Sequence, residues 1–117
     1  MYNKYNANKA VCAQGHLHDS RKECIRCNEL HLLQRAKQIS GLEVQKKFSL
    51  VPARKYPNMK NERSLDYIAD FVYVDAASKK MIVEDCKGYK TKEYIIKRKL
   101  FKDKYCYKNN DIVFIET

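Results

Sequence analysis

The sequence predicts one small α/β domain with the order helix, three strands, helix, strand. Three observations predict it. Two stretches open on helix-capping residues, at Ser20 and Thr91. Three stretches between them alternate apolar and polar residues with the period of a strand. An apolar run, Ile112 to Ile115, closes the chain after the second helical stretch. The length of 117 residues suits one core.

In order along the chain, residues 1–8 carry Asn3, Asn6 and Asn8 and are expected to form a loose arm. Lys9 to Cys12 reads as a short strand, Gln14-Gly15 as a turn, and His16-Leu17-His18 as the returning strand. Asp19-Ser20 opens the first helix. Ser20 with Glu23 fits a capping box, in which each side chain satisfies an unpaired backbone N–H. Ile25, Leu32, Leu33, Ala36 and Ile39 supply an apolar stripe, and Gly41 is the expected stop. A strand is predicted over 42–51.

Pro52 and Pro57 bracket a basic segment, and residues 53–64 are expected to form a long mobile loop. Strands over 65–74 and 80–87, joined by the turn Asp75-Ala76-Ala77-Ser78, form an expected antiparallel hairpin. Thr91 caps a second helix running to about Tyr105, with Ile95, Leu100, Phe101 and Tyr105 as packing residues. Ile112 to Ile115 is apolar enough to be expected inside the sheet.

Bulk composition narrows the partners. With 24 Lys and Arg against 14 Asp and Glu, the formal charge is +10. That balance favours polyanions, nucleic acid first and an anionic membrane surface second. No apolar run is long enough to span a bilayer and no signal-peptide core is present, so a cytoplasmic protein is expected. Five cysteines at irregular spacing argue against a disulfide framework.

The chemistry concentrates in the predicted hairpin. Asp70 interrupts Ile68 to Val72, and Asp85-Cys86-Lys87 ends Ile82 to Lys87. A carboxylate in a buried strand is costly unless paired or bound to a metal. Strand parity puts Asp85 and Lys87 on one face and Glu84 and Cys86 on the other. Glu84 is then expected to be satisfied by helix packing or by a lysine. If the register sets Asp70 beside Asp85, a magnesium or manganese ion resolves their repulsion. Lys87 is then placed to stabilise charge on a phosphoryl oxygen or to orient water. Glu23, in the first turn of the first helix, is the candidate third carboxylate. Gly88 lets a polyanion approach closely.

These residues resemble the PD-(D/E)xK pattern of restriction-endonuclease-like nucleases. The resemblance is closer to small phage-encoded proteins described as Holliday-junction resolvases or recombination endonucleases. It is carried by residues 18–23, 29–33, 44–52, 67–73, 83–88 and 97–101, with two departures: His18 holds a place usually apolar or aromatic in the family, and Ala69 stands where the motif's name has proline. The resemblance implies a restriction-endonuclease-like core with a mixed central sheet flanked by helices. It implies that Asp70 and Asp85 ligate Mg2+ or Mn2+, that Lys87 is the catalytic lysine, and that Glu23 is an accessory ligand or water-positioning group. It further implies hydrolysis of branched DNA to 5′-phosphate and 3′-hydroxyl ends, in a phage or prophage protein within a bacterial host. Cutting a four-way junction calls for two sites related by two-fold symmetry, so a homodimer is expected.

Residues 87–108 are strongly basic with interleaved tyrosines, which suits a surface that follows phosphates. Lys90, Lys92, Lys97, Arg98, Lys99 and Lys102 are the candidate contacts there, and Arg54 and Lys55 are candidates for a second DNA segment. Two rivals stand beside the nuclease reading. One is a non-catalytic DNA-binding module of a phage recombination or packaging apparatus. The other is a zinc-stabilised interaction protein, using Cys12, Cys24 and Cys27 with His16 or His18. Cys24 and Cys27 serve equally well as small buried hydrophobes within a helix.

Overall fold

The structure, a computed structural model, describes residues 10–11, 15, 17–18 and 20–117. The arm over 1–8 lies outside the described residues, as do Cys12 and His16. The short strands β1 (Ala10–Val11) and β2 (Leu17–His18) pair antiparallel. Helix α1 (Arg21–Arg35) follows, then β3 (Ile39–Val51), β4 (Leu65–Asp75), β5 (Met81–Asp85), α2 (Lys92–Phe101) and β6 (Ile112–Glu116). A single π-helical turn, Lys102–Cys106, extends α2. The main sheet has the order β3-β4-β5-β6, with β5 and β6 parallel and the other pairs antiparallel. This is the expected order and the expected mixed sheet flanked by helices.

Each element has a local cause. Ser20 caps α1 by accepting the Glu23 N–H at 3.1 Å, and Thr91 caps α2 by accepting the Tyr94 N–H at 3.1 Å. Helix α1 stops earlier than Gly41. Lys37 takes the left-handed conformation (φ 62°), with Lys37 N–H bonded to Gln34 O and Gln38 N–H to Leu33 O. That is a Schellman closure with lysine where glycine is usual. Ile39 therefore belongs to β3 and is buried there. Gly41 sits inside the strand at φ 63°, where the pairing shifts between Ser40 and Glu43.

The predicted stripe on α1 is also corrected. Ile25 and Leu32 are 53% and 60% exposed, and the helix instead buries Glu23, Cys24, Cys27 and Leu30. Two cysteines and a carboxylate on the inner face left the apolar periodicity misaligned. On α2, Phe101 is fully buried and Tyr105 packs beside it, but Ile95 and Leu100 face solvent. Strand β6 is an edge strand, not an interior one, because β5 is its one partner in the sheet.

Helix α1 covers one face of the sheet, packing with Phe71, Tyr73, Cys86 and the half-buried Leu42, Val44 and Ile82. On the other face α2 and the π turn pack with Phe48, Leu50, Tyr67, Ala69, Val72 and Val83. Strict alternation would put Leu42, Val44, Phe48 and Leu50 on one face. They divide between the two layers, and so do Ala69 and Phe71. Both strands swap faces between Val44 and Lys46 on β3 and between Ala69 and Phe71 on β4. At the centre of that swap Gln45 has φ 57°. Beyond β3, the segment over 52–64 folds back on itself, with reciprocal 3.0 Å backbone bonds between Arg54 and Glu62.

Candidate active site

The β4–β5 ladder runs from Val74 opposite Met81 to Phe71 opposite Glu84 and ends there. Past that point side chains replace backbone partners. Asp85 Oδ1 accepts the Asp70 N–H at 3.2 Å, and Asp70 Oδ2 accepts the Cys86 N–H at 2.9 Å. Lys87 leaves the end of β5 and sets its Nζ 3.8 Å from Asp70 Oδ2 and 3.6 Å from Asp85 Oδ1. The same ammonium lies 5.0 Å from the Tyr94 ring centre, on the first turn of α2.

Glu23 arrives from α1. Its carboxyl is buried, hydrogen-bonds Asp70, and accepts from Gln45 Nε2 at 3.3 Å. The four residues expected at the site, Glu23, Asp70, Asp85 and Lys87, are thus brought together. Asp85 is fully buried, and among the described residues its Oδ2 has no hydrogen-bond partner.

The electrostatics follow from burial. Desolvation, then the hydrogen bond and like charge of Glu23, push the Asp70 carboxyl up to about 7, against the pull of Lys87. Burial pushes Asp85 up to about 6, opposed by Lys87 and by the Asp70 amide. Cys86 is pushed up to about 11 by burial, so its thiol stays protonated and unreactive at neutral pH. Among the described residues no group of three or more His, Cys, Asp and Glu side chains is arranged so that it could hold a metal ion.

Behind the site, Glu84 points to the α1 face, as strand parity requires. Its partner is an arginine rather than a lysine. Arg26 meets it with Nε–Oε2 at 2.6 Å and Nη2–Oε1 at 3.0 Å, while the Tyr73 hydroxyl donates at 2.7 Å. The Thr117 hydroxyl donates to the same carboxylate at 3.2 Å.

The basic residues of the second half are not equivalent. Lys90, Lys92 and Lys99 are exposed. Lys97 is tied to Glu93 at 3.0 Å, Arg98 contacts both Glu116 oxygens at 2.8 and 3.0 Å, and Lys102 lies over the Phe114 ring. Arg54 and Lys55 stand on the hairpin extension. About five residues of strand, on the order of 17 Å, lie between Asp70 and the start of that extension at Leu65.

Sequence reasoning missed Gln45, Arg26 and Tyr94 as neighbours of the site. Gln45 carries no sequence signal, because a glutamine in a strand reads as a surface residue. Cys24 and Cys27 are buried in the core beneath α1.

The fold is consistent with a nuclease-like architecture: a mixed sheet between helices, with acids and a lysine at the open end of a hairpin. The chain belongs to the family described as protein of unknown function DUF1064, whose model matches residues 2–115. No curated protein and no solved structure matches it. Among the described residues, no helix is long and apolar enough to cross a membrane.

Proposed function

We propose that this protein is a divalent-metal-dependent endonuclease acting on branched or otherwise structured DNA. The observation that carries the reading is Asp85 Oδ2, a buried carboxylate oxygen without a hydrogen-bond partner among the described residues. Asp85 is joined to Asp70 through the Asp70 N–H and through Lys87, and Glu23 adjoins Asp70 in turn. A buried orphan acceptor is expensive, and a hard cation is the partner that suits an all-carboxylate donor set. Glu23, Asp70 and Asp85 would hold Mg2+ or Mn2+. When bound, such an ion polarises a phosphoryl oxygen and lowers the pKa of an attacking water.

The chain's own groups supply the rest. Lys87, within 4 Å of both aspartates, sets a positive charge where a phosphoryl oxygen gains negative charge. Asp70 and Asp85 are held by backbone N–H groups, so their remaining oxygens are fixed in direction. The exposed Lys90, Lys92, Lys99 and Lys102 follow the phosphate backbone from the site outward, while Lys97 and Arg98 are held by Glu93 and Glu116. Arg54 and Lys55 reach a second duplex arm. A homodimer supplies two sites for a four-way substrate.

The alternative is a non-catalytic DNA-binding module. It is favoured by the hydrogen bond between Glu23 and Asp70, which uses two prospective ligands on each other. One experiment separates the two. Synthetic four-way, flap and linear DNAs are incubated with Mg2+, Mn2+ or chelator, using wild type and Asp85→Asn. The nuclease reading expects metal-dependent cleavage that falls by orders of magnitude in the variant, with DNA binding retained or tightened. Cleavage that survives Asp85→Asn unchanged removes the activity from this site. Wild type that binds DNA without cutting any substrate establishes the alternative.

A further inference from the structure

We propose that Gln45 is a positioning residue of this site, holding Glu23 through its side-chain amide and orienting Asp70 through its backbone. The inference rests on the nuclease reading above. Three observations meet at this residue. First, Gln45 has φ 57°, a left-handed conformation that a residue with a Cβ adopts rarely in the middle of a strand. It is exposed on edge strand β3, so no buried side chain there requires the kink. Second, the register on either side, Val44 with Phe71 and Lys46 with Ala69, sets Gln45 across from Asp70. The pairing of Phe71 with Glu84 continues that row to Asp85. Third, Gln45 Nε2 donates to Glu23 Oε1 at 3.3 Å.

The kink has a geometric consequence. At Gln45 and Asp70 both strands exchange the layer they face, so that Val44 and Phe71 pack under α1 while Phe48 and Ala69 pack in the α2 layer. A straight β3 would drag β4 into unbroken alternation and turn the side chain of Asp70 wholly into one layer. The left-handed residue lets Asp70 stand at the crossover, within reach of Glu23 from one layer and Lys87 from the other. The strain sits at an exposed position and, besides dividing the core between two layers, sets Asp70 between them, which marks a constraint beyond the packing of Gln45 itself.

The test uses Gln45→Gly, which suits a positive φ and removes the amide, and Gln45→Asn, which tolerates that φ with a shorter reach. Each is made in wild type and in Glu23→Ala. Mn2+ affinity is measured by titration on the protein without DNA, and cleavage is measured at saturating Mn2+. Both variants are expected to melt no lower than wild type, to bind Mn2+ about tenfold more weakly, and to cleave at least tenfold more slowly. On the Glu23→Ala background neither adds a further loss, since the amide acts through Glu23. Mn2+ binding and cleavage within twofold of wild type overturn the assignment. So does a loss that repeats in full without Glu23, or a loss that tracks a fall in melting temperature in both variants. Wild type that neither binds Mn2+ nor cleaves overturns the nuclease reading itself, a result distinct from all of these.

Discussion

Asp70 and Asp85 each bind the backbone of the other's strand: Asp85 Oδ1 takes the Asp70 N–H, and Asp70 Oδ2 takes the N–H of Cys86. The two acids thus continue the hairpin ladder after its backbone bonds end at Phe71 and Glu84. Their arrangement serves the fold and the site together. Each acid keeps one oxygen occupied by an N–H, which fixes the carboxylate plane, and two charges are confined where water is scarce.

That confinement makes stability depend on pH in a set direction. Both folded pKa values lie above the ordinary 3.8, at about 6 for Asp85 and about 7 for Asp70. Between the ordinary and the folded values the folded protein binds more protons than the unfolded chain. The contribution of these groups therefore falls as pH rises through that window, by at most about 1.4 kcal/mol per pH unit for each group, and levels off above it. With chelator present, wild type should lose melting temperature relative to Asp85→Asn between about pH 4 and about pH 6. At about pH 8, Mg2+ or Mn2+ should raise the melting temperature of wild type and leave Asp85→Asn unmoved. Thermal melts over a pH series check both halves. A wild-type melting temperature indifferent to metal at alkaline pH contradicts the metal site.

The element order and the shared side of Asp85 and Lys87 were legible because both depend on local signals, whereas the register that sets Asp70 beside Asp85 was left conditional. Ser20 and Thr91 mark helix starts by hydrogen-bond chemistry alone, and strand parity carries Asp85 and Lys87 to one side. The helix face of α1 was not legible, because Cys24, Cys27 and Glu23 occupy it while Ile25 and Leu32 stay in solvent. Hydrophobic periodicity cannot find a face on which Leu30 is joined by two thiols and a carboxylic acid. The end of α1 was missed for a related reason: a lysine, not a glycine, takes the left-handed cap. The exchange of layers at Gln45 is a tertiary event. Leu42, Val44, Phe48 and Leu50 share one parity in sequence while packing in two different layers.

Replacing Lys87 tests the electrostatic role directly. Its Nζ neighbours both aspartates and lies over the Tyr94 ring. Lys87→Met keeps most of the apolar stem and removes the charge. Cleavage should fall by about 10²-fold, the scale of losing one transition-state charge contact, while DNA affinity changes a few-fold at most. Losing the cation also raises both aspartate pKa values further, so the acidic limb of the pH–rate profile should move to higher pH. Single-turnover rates across pH provide the check, and a variant as fast as wild type with an unmoved profile removes Lys87 from the chemistry.

The pair Arg26 and Glu84 is expected to serve stability. Glu84 is fully buried and its charge is met by Arg26, with the Tyr73 and Thr117 hydroxyls completing the shell. Arg26→Met leaves that carboxylate buried without its cation, which should cost about 3–5 kcal/mol. Adding Glu84→Gln removes the stranded charge and should recover more than half of the loss. Urea unfolding of the single and double variants decides it. Equal destabilisation in both would show that Arg26 acts through packing and not through charge.

The basic surface makes a prediction that separates neighbours on one helix. Lys92 and Lys99 are exposed, whereas the Arg98 guanidinium is held by both oxygens of Glu116 and lies 5.5 Å from the Tyr94 ring centre. A cation already neutralised releases little counterion when phosphate arrives. Lys92→Gln and Lys99→Gln should each reduce the slope of log K against log salt by about 0.9, the value for one lost phosphate contact on duplex DNA. Arg98→Gln should leave the slope nearly unchanged and lower the melting temperature slightly, because Glu116 loses its cation and keeps the Tyr94 hydroxyl as its hydrogen-bond donor. Fluorescence anisotropy over a salt series distinguishes the cases. If Arg98→Gln flattens the slope while the lysine variants do not, then Glu116 gives up its arginine on binding, and the phosphate track runs over the β6 edge of the sheet instead of along the outer face of α2.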